Sequence, residues 1–295
     1  MSDLLHAFVL PQLGVRGAAV RLEAGYRQVL SHQPYVASVG RWLGEALAAA
    51  SLLVTGIKFN GRLSLQLQGG DALQLLYVEC TSDGDLRGIA RAADTDVDWT
   101  GGFAAAARGA VLAITLEPYQ NSERYQGIVA LSGDSLAETL EGYFEQSEQL
   151  PTRLLLAGDG ERACGLLLQR LPSEGGTRHE IDPDAWNRVL HLLNTVQPDE
   201  LLATPSTELI HRLFHDQQRL DADPVPLHVR CRCSREKVAD VLRRIGQDEA
   251  AAAAEQLGHA EIVCEFCGKT YHFDAIEIAQ LFRPEPPVEA PERPQ

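Results

Sequence analysis

Basic residues are in short supply in this chain. It has 26 lysines and arginines against 41 aspartates and glutamates, so the formal net charge is −15. A general nucleic-acid binder, or a protein that binds anionic membranes, needs a basic face, and this balance argues against both classes. The charge favours solubility instead, which suits a protein that must also expose apolar surface.

Long apolar runs are absent as well. No stretch approaches the roughly 20 apolar residues of a membrane-spanning helix. Residues 1–6 lack the basic region and apolar core of a secretory signal peptide. We therefore expect a cytoplasmic protein. Because the cytoplasm keeps thiols reduced, clustered cysteines there are interpreted as metal ligands before they are interpreted as disulfides.

Recognisable catalytic motifs are also missing. No GxxxxGK[ST] loop occurs, so nothing supports an ATP-driven function, and neither GxSxG nor HExxH is present. Residues 158–163 have the GxGxxA spacing of a dinucleotide loop, but a strand-like run follows them where a helix is required. We expect a protein that is not an enzyme.

The patterns that are present predict an α+β fold. Runs of strands with occasional helices indicate a large N-terminal domain, residues 1–180, whose mixed or antiparallel sheet is packed by helices. Residues 34–55 have helical spacing, and Gly40 and Gly44 within them are expected to allow close packing. Strands are predicted at 20–24, 63–68, 73–80, 86–92, 111–116, 125–131, 153–156 and 164–171, and a capping box at Ser135 and Glu138 opens a further helix.

Residues 181–230 are predicted to form a helical linker. Asp182-Pro183 and Thr204-Pro205 both fit the start of a helix, with proline at the first helical position. Each helix has an apolar side, and the segment is too apolar for a disordered coil. We expect this linker to lie on another surface of the protein.

Four of the six cysteines are concentrated near the C-terminus. Cys231 and Cys233 form one pair, Cys264 and Cys267 form another, and thirty residues separate the pairs. Tetrahedral zinc with Zn–S bonds near 2.3 Å needs sulfurs about 3.8 Å apart, which both local pairs can supply. The spacing predicts one zinc ion per chain, bound by all four thiolates in a small zinc-binding domain at 231–283.

The purpose of such a site is left open by the spacing. Zinc with four thiolates has no open position, which argues against catalysis at the metal. Thiolates are oxidisable, so the site can be a redox switch, whereas a purely structural zinc is the more frequent case. A zinc-ribbon nucleic-acid-binding regulator is disfavoured by seven basic and nine acidic residues in 231–283. A thiol–disulfide oxidoreductase would need a thioredoxin-like context, which is missing.

Other residues near these motifs have simpler interpretations. His259 and His272 could replace a cysteine, but four sulfurs already satisfy zinc, so both are expected to be surface histidines. Cys80 and Cys164 lie in apolar stretches and are expected to be buried core thiols. Residues 284–295 contain five prolines and are expected to form a disordered tail.

Over nearly its whole length the chain resembles the Hsp33 family of redox-regulated chaperones. The cysteine pattern matches, including Cys233-Ser234-Arg235-Glu236. Three further blocks do so upstream: Leu43-Gly44-Glu45 with 48–53, residues 123–127, and residues 147–153. Residues 251–254 and the proline tail contribute nothing to the resemblance.

The resemblance implies a cytosolic holdase that is inactive when it is reduced and zinc-bound. Oxidation in this family forms two disulfides, here Cys231–Cys233 and Cys264–Cys267, and zinc is released. The zinc domain and the linker then unfold. The protein forms a homodimer and binds unfolding client proteins without ATP, and neither nucleic acid nor membrane is implied as a partner.

Overall fold

A computed structural model describes residues 3–56, 60–93, 99, 101–120, 123–172, 184–255 and 258–283. The chain divides into two compact units, and the boundary falls between Arg230 and Cys231. The predicted tail at 284–295 and the predicted helix start at Asp182-Pro183 lie outside the described residues. Across the described ranges, no helix combines the length and apolar character needed to cross a membrane.

Twelve strands and seven α-helices make up the described part of the first unit. The strands are β1 (Leu4–Leu10), β2 (Val15–Leu22), β3 (Gly61–Gln68), β4 (Leu73–Thr81), β5 (Asp85–Ala92), β6 (Val111–Pro118), β7 (Tyr125–Val129), β8 (Thr152–Gly158), β9 (Ala163–Arg170), β10 (Leu220–Asp221), β11 (Val225–Pro226) and β12 (His228–Val229). The helices are α1 (Ala24–Leu30), α2 (Ala37–Val54), α3 (Gly102–Ala106), α4 (Leu136–Gln146), α5 (Ala185–Leu193), α6 (Pro198–Ala203) and α7 (Ser206–Phe214).

These strands form two six-stranded sheets. The first sheet has the order β10-β1-β2-β9-β8, with β11 also paired to β1, and the second has the order β12-β5-β4-β3-β6-β7. Pairings in both sheets are antiparallel, except that β12 runs parallel to β5. The predicted α+β class is confirmed, although the sequence patterns did not separate one sheet from two.

Helix α2 lies between the sheets. It packs on β4 and β5 of the second sheet and on β8 and β9 of the first, and most of its residues are buried. A Cβ at Gly44 would lie 2.7 Å from the Tyr26 ring, and the Tyr26 hydroxyl donates a 2.7 Å hydrogen bond to the Gly40 carbonyl. The close packing expected of these glycines is confirmed at Tyr26.

Helices α5, α6 and α7 cover the other face of the first sheet. Phe8 of β1 and Phe214 of α7 are both buried, with ring centroids 6.0 Å apart. Gly17 faces Phe8 across the β1–β2 ladder, and a Cβ there would lie 2.2 Å from the Phe8 ring. With helices on both faces, β9 is buried along nearly its full length, which explains its continuous apolar sequence.

After α7 the chain crosses both sheets in three very short strands. Two-residue strands β10 and β11 pair with β1 of the first sheet, and β12 pairs with β5 of the second. The Arg230 amide then donates a 2.9 Å hydrogen bond to the Leu86 carbonyl, one residue before Cys231. We call residues 220–230 the strap, because they tie the end of the first unit to both of its sheets.

A cleft of about 350 Å³ separates α4 and β8 from the helices α5 and α6. Carboxylates concentrate in it, since Glu45, Glu138 and Glu141 all line it together with Arg153. Burial raises the pKa of Glu45 to about 7, against the opposing effect of Arg41. The pKa of this cleft-lining carboxyl therefore lies well above the ordinary value for glutamic acid.

Replacing Glu45 by Gln is expected to stabilise the first unit at alkaline pH. The folded-state pKa lies above the unfolded value, so the stability contributed by the protonated carboxyl is present at low pH and lost as pH rises towards 7. One pKa unit corresponds to about 1.4 kcal/mol, so the variant should be about 1–3 kcal/mol more stable above pH 7 and equal to wild type below about pH 4. Urea unfolding at several pH values measures this gap, with the exposed Glu145→Gln as control. A gap that narrows as pH rises would contradict the expectation.

The second unit is a helical module built around one hairpin. It contains α8 (Arg235–Ile245), α9 (Gln247–Glu255), β13 (His259–Val263), β14 (Thr270–Asp274) and α10 (Ala275–Leu281). Its core is small and is formed by Val238, Ala239, Leu242, Ala250, Ala254, Ala260, Tyr271, Phe273 and Ile278. A core of this size supplies little stability by itself, so such a unit commonly depends on a metal or another cross-link.

Two predictions about local structure need correction. The strand predicted at 20–24 is wrong in its extent, since β2 covers Val15–Leu22 and α1 begins at Ala24. In the predicted capping box, Ser135 does accept a hydrogen bond from the Glu138 amide, but the Glu138 carboxylate accepts from the Asp134 amide, one residue earlier than expected.

Candidate metal centre

Two short segments of the second unit present the four clustered thiols. Cys231 and Cys233 lie just before α8, where Ser234 caps the helix by accepting a 3.3 Å hydrogen bond from the Lys237 amide. Cys264 and Cys267 lie in the turn between β13 and β14. In that turn the amides of Cys267 and Gly268 both donate to the Cys264 carbonyl, at 3.3 and 2.8 Å.

A left-handed backbone closes this turn. Gly268 has φ +66°, a backbone conformation that residues other than glycine rarely adopt. The Cys264 amide donates a 2.9 Å hydrogen bond to the Lys269 carbonyl. The bend returns the chain into β14 and leaves the two cysteine side chains on the same side as Cys231 and Cys233. A tight knuckle at Gly268 therefore brings Cys264 and Cys267 together.

The four sulfurs converge on one point. They all lie within 4.8 Å of one another, and the two shortest contacts are Cys231 Sγ to Cys264 Sγ at 3.5 Å and Cys233 Sγ to Cys267 Sγ at 3.4 Å. These separations bracket the roughly 3.8 Å between ligands of a tetrahedral zinc–thiolate site. The four cysteines could therefore hold a metal ion, with no position left over for a substrate.

Ionisation of these thiols is uneven. Burial acts to raise the pKa of Cys233, but the hydrogen bond from Tyr271 and the neighbouring thiols outweigh it and lower that pKa to about 7. Burial raises the pKa of Cys231 to about 12 and also raises that of Cys267. Metal coordination deprotonates thiols outright, so binding an ion here would release protons.

Tyr271 contacts the cluster through a hydrogen bond that the sequence patterns did not predict. Its hydroxyl donates a 3.1 Å hydrogen bond to Cys233 Sγ, while its ring belongs to the buried core of the second unit. Lys269 Nζ lies 5.0 Å from the centre of the same ring. A tyrosine four residues after Cys267 has no recognised spacing, and Cys233 lies outside the hairpin, so only the folded unit reveals this contact.

Exposure separates the two groups of cysteines. All four clustered cysteines are half-buried, which leaves them within reach of a small oxidant. Cys80 and Cys164 are buried, and burial raises their pKa values to about 12 and about 11. Their interpretation as core thiols is confirmed.

This fold and this site define a class of protein: a large α+β unit followed by a small unit whose closed four-cysteine cluster could hold a metal ion. A family model described as Hsp33 protein matches residues 3–274. The chain belongs to the Hsp33 family, a family of chaperones, and the resemblance drawn from its motifs is confirmed.

Relatives support this assignment along nearly the whole chain. The 33 kDa chaperonin of Ectopseudomonas mendocina is 44% identical over 283 residues and covers 96% of each chain. That of Pseudomonas aeruginosa is 43% identical over 282 residues and covers 95% of each. The crystal structure of the 33 kDa chaperonin (heat shock protein 33 homolog) from Thermotoga maritima has the same fold, with a TM-score of 0.81 at 20% identity over 95% of this chain and 98% of that one.

Proposed function

We propose that this protein is a redox-regulated, ATP-independent holdase that binds unfolding proteins during oxidative stress in the cytoplasm. The observation that carries the proposal is the half-exposed cluster of four thiols in a unit with a small core. Membership of a chaperone family supplies the activity, and the thiol cluster supplies its control. The protein acts by binding its clients and catalyses no reaction.

In the reduced protein, Cys231, Cys233, Cys264 and Cys267 hold one zinc ion per chain. Sulfur ligands in a tetrahedral arrangement are the donor set of structural zinc sites. The ion's charge balances thiolates that would otherwise repel one another at these distances. Zinc therefore joins the segment before α8 to the β13–β14 turn and stabilises the whole unit.

Peroxide is the oxidant that converts the zinc-binding thiolates into disulfides. Two thiolates, one hydrogen peroxide and two protons give one disulfide and two waters, so two peroxide molecules convert all four ligands. The sulfurs are oxidised and the peroxide oxygens are reduced. Zinc, which does not change oxidation state, loses its ligands and is released.

The pairing of the disulfides decides whether oxidation loosens the unit. Zinc links segments 33 residues apart, whereas Cys231–Cys233 and Cys264–Cys267 disulfides link only near neighbours. The long-range cross-link is then lost. Pairing across the segments, as in the two shortest sulfur contacts, would preserve it. We propose the local pairing, because neighbours in sequence meet most often once the unit begins to open.

Unfolding of the second unit then spreads to the linker. The metastable linker that we propose, residues 181–230, includes α5–α7 and the strap and directly precedes the second unit in the chain. Their release would uncover the apolar face that includes Phe8, and exposed apolar surface binds varied unfolded chains. Dimerisation of the oxidised protein would enlarge this surface, while the charge of −15 keeps its complexes soluble.

The alternative is a structural zinc protein, or a zinc-ribbon regulator that binds nucleic acid. An aggregation assay separates these functions. Light scattering of a thermally unfolding client is measured without nucleotide, with matched reduced and peroxide-treated samples and parallel measurement of zinc release. Strong suppression by the oxidised form alone supports the proposal. Equal protection by both forms would remove the switch, and no protection by either would remove the chaperone.

Peptide mapping of the same oxidised samples tests the pairing. Recovery of mainly Cys231–Cys233 and Cys264–Cys267 peptides is the expected result. Cross-segment pairs as the major products would mean that oxidation keeps the long-range link, and zinc release alone would then have to account for any unfolding.

A further inference from the structure

A second group of metal-ligand side chains lies on the hairpin of the second unit, apart from the four thiols. His259, Glu261 and His272 each direct one ligand atom to a common region, and these atoms lie within 4.8 Å of one another. Both histidines were expected from the sequence to be surface residues; His272 is exposed, whereas His259 is half-buried. Their convergence with a carboxylate gives them a chemistry that the surface interpretation lacks.

Register explains why these three side chains meet. Glu261 of β13 lies directly opposite His272 of β14, and His259 is two residues before Glu261 on the same strand. Residues two apart on a strand share a face, and diagonal neighbours remain within reach of long side chains. The three residues therefore share the outer face of the hairpin, while Ala260, Tyr271 and Phe273 point into the core.

Distances suit a small borderline cation. His272 Nδ1 lies 3.9 Å from Glu261 Oε2, and the two imidazole rings lie edge to face with centroids 4.9 Å apart. Zinc with nitrogen and oxygen ligands at about 2.0–2.2 Å brings those ligands to roughly 3.3 Å from one another. Since the Glu261 and His272 side chains are 46% and 56% exposed, small side-chain rotations can close this difference.

A neighbouring carboxylate is already engaged and does not compete for an ion at these three side chains. Asp274, the residue opposite His259, already accepts a 2.7 Å hydrogen bond from the Glu277 amide as the cap of α10. An ion pair between Glu261 and a protonated His272 at such exposure contributes little stability. A shared metal ion would satisfy both imidazoles and the carboxylate at once.

We propose that His259, Glu261 and His272 form a second zinc site, with water in the fourth position. Two imidazoles and one carboxylate are a ligand set that zinc takes when one position stays open. The site would cross-link β13 to β14 roughly 10 Å along the strand from the cysteine knuckle, given about 3.3 Å per residue. Imidazole and carboxylate resist peroxide, so this site is not lost by the chemistry that removes thiolate ligands.

Zinc titration of the reduced full-length protein, already loaded with one equivalent, tests the site. Isothermal calorimetry above pH 7 should detect a second equivalent. Ring ¹⁵N resonances of His259 and His272 should shift with that equivalent, and the melting temperature of the second unit should rise. His259→Gln with His272→Gln should lose the second equivalent and the rise in melting temperature, and Glu261→Gln should weaken binding.

Controls separate this site from the thiols and from misfolding. The pair His191→Gln and His228→Gln removes the same number of histidines, both of them exposed, and should keep the second equivalent. Cobalt–thiolate absorption reports the four-cysteine site, so a variant that keeps this absorption still has a folded unit. Wild type that binds only one equivalent, a second equivalent that survives the double histidine variant, or uptake only at millimolar zinc would each overturn the proposal.

Discussion

Removal of zinc from the reduced full-length protein is expected to unfold the second unit while the first unit keeps its structure. Structural zinc contributes about 10 kcal/mol or more to the folding of small metal-dependent units. The core formed by α8, α9, α10 and the hairpin is too small to replace that contribution. Residue-level hydrogen exchange after chelation should show lost protection in 235–281 and retained protection in α2 and the central strands.

Two variants make this experiment specific to the cluster. Cys264→Ser removes one of four ligands and should give the same exchange pattern without any chelator. Cys80→Ala removes a buried thiol of the first unit, so it should keep its zinc and lose only roughly 1–2 kcal/mol of that unit's stability. Protection in 235–281 that persists after chelation would show that the second unit folds without metal. Equal loss in both units would show that the chain unfolds as one cooperative body.

Phe214→Ala is expected to make the reduced, zinc-loaded protein partly active. Phe214 is 1% exposed and packs on Phe8, so its truncation removes the main aromatic contact between α7 and the first sheet. Truncation of a buried phenylalanine to alanine lowers the free energy of unfolding by about 3–5 kcal/mol. Much of that cost would fall on the docking of α5–α7, which would then expose their apolar face and the sheet beneath it without oxidation.

Three measurements check this expectation on the same sample. Aggregation suppression should rise in the reduced state, hydrogen exchange should quicken in α5–α7, and zinc content should stay unchanged. Leu192→Ala is the matched control, because this α5 leucine is 38% exposed and should leave docking intact. If α5–α7 exchange quickly but the variant does not protect clients, exposure of the linker face is not sufficient for client binding.

The sequence allowed most of the second sheet to be predicted, because its strands carry strong local signals. Residues 63–68 alternate cleanly, and the turn at Gly69 has a positive φ of 83°. The strand β1 was missed, since its partners β2, β10 and β11 lie both near and about 210 residues away in sequence. Pairing between strands so far apart in the sequence cannot be inferred from the residue pattern of either strand alone.

The candidate site shows the same division. Cysteine spacing alone identified the four residues that converge, because a metal site constrains both number and separation of ligands. The meeting of His259 with His272 depends on hairpin register, and the contact of Tyr271 with Cys233 depends on how the hairpin packs against the segment before α8. Spacing encodes neither. Ligand sets within one segment pair are therefore predictable, whereas contacts set by cross-strand register need the folded hairpin.

The strap has a mechanical consequence. Its three strands have two residues each and pair with β1 and β5, so a pull on residue 231 directed away from the sheets would load their hydrogen bonds one after another. Such a connection opens by peeling, which needs far less force than shearing a long strand. A force applied at this end would first break the hydrogen bond from the Arg230 amide to the Leu86 carbonyl. The pairing of β12 would break next, followed by that of β11 and then β10. We expect the strap to open in this order, and single-molecule pulling from residue 231 would resolve its steps.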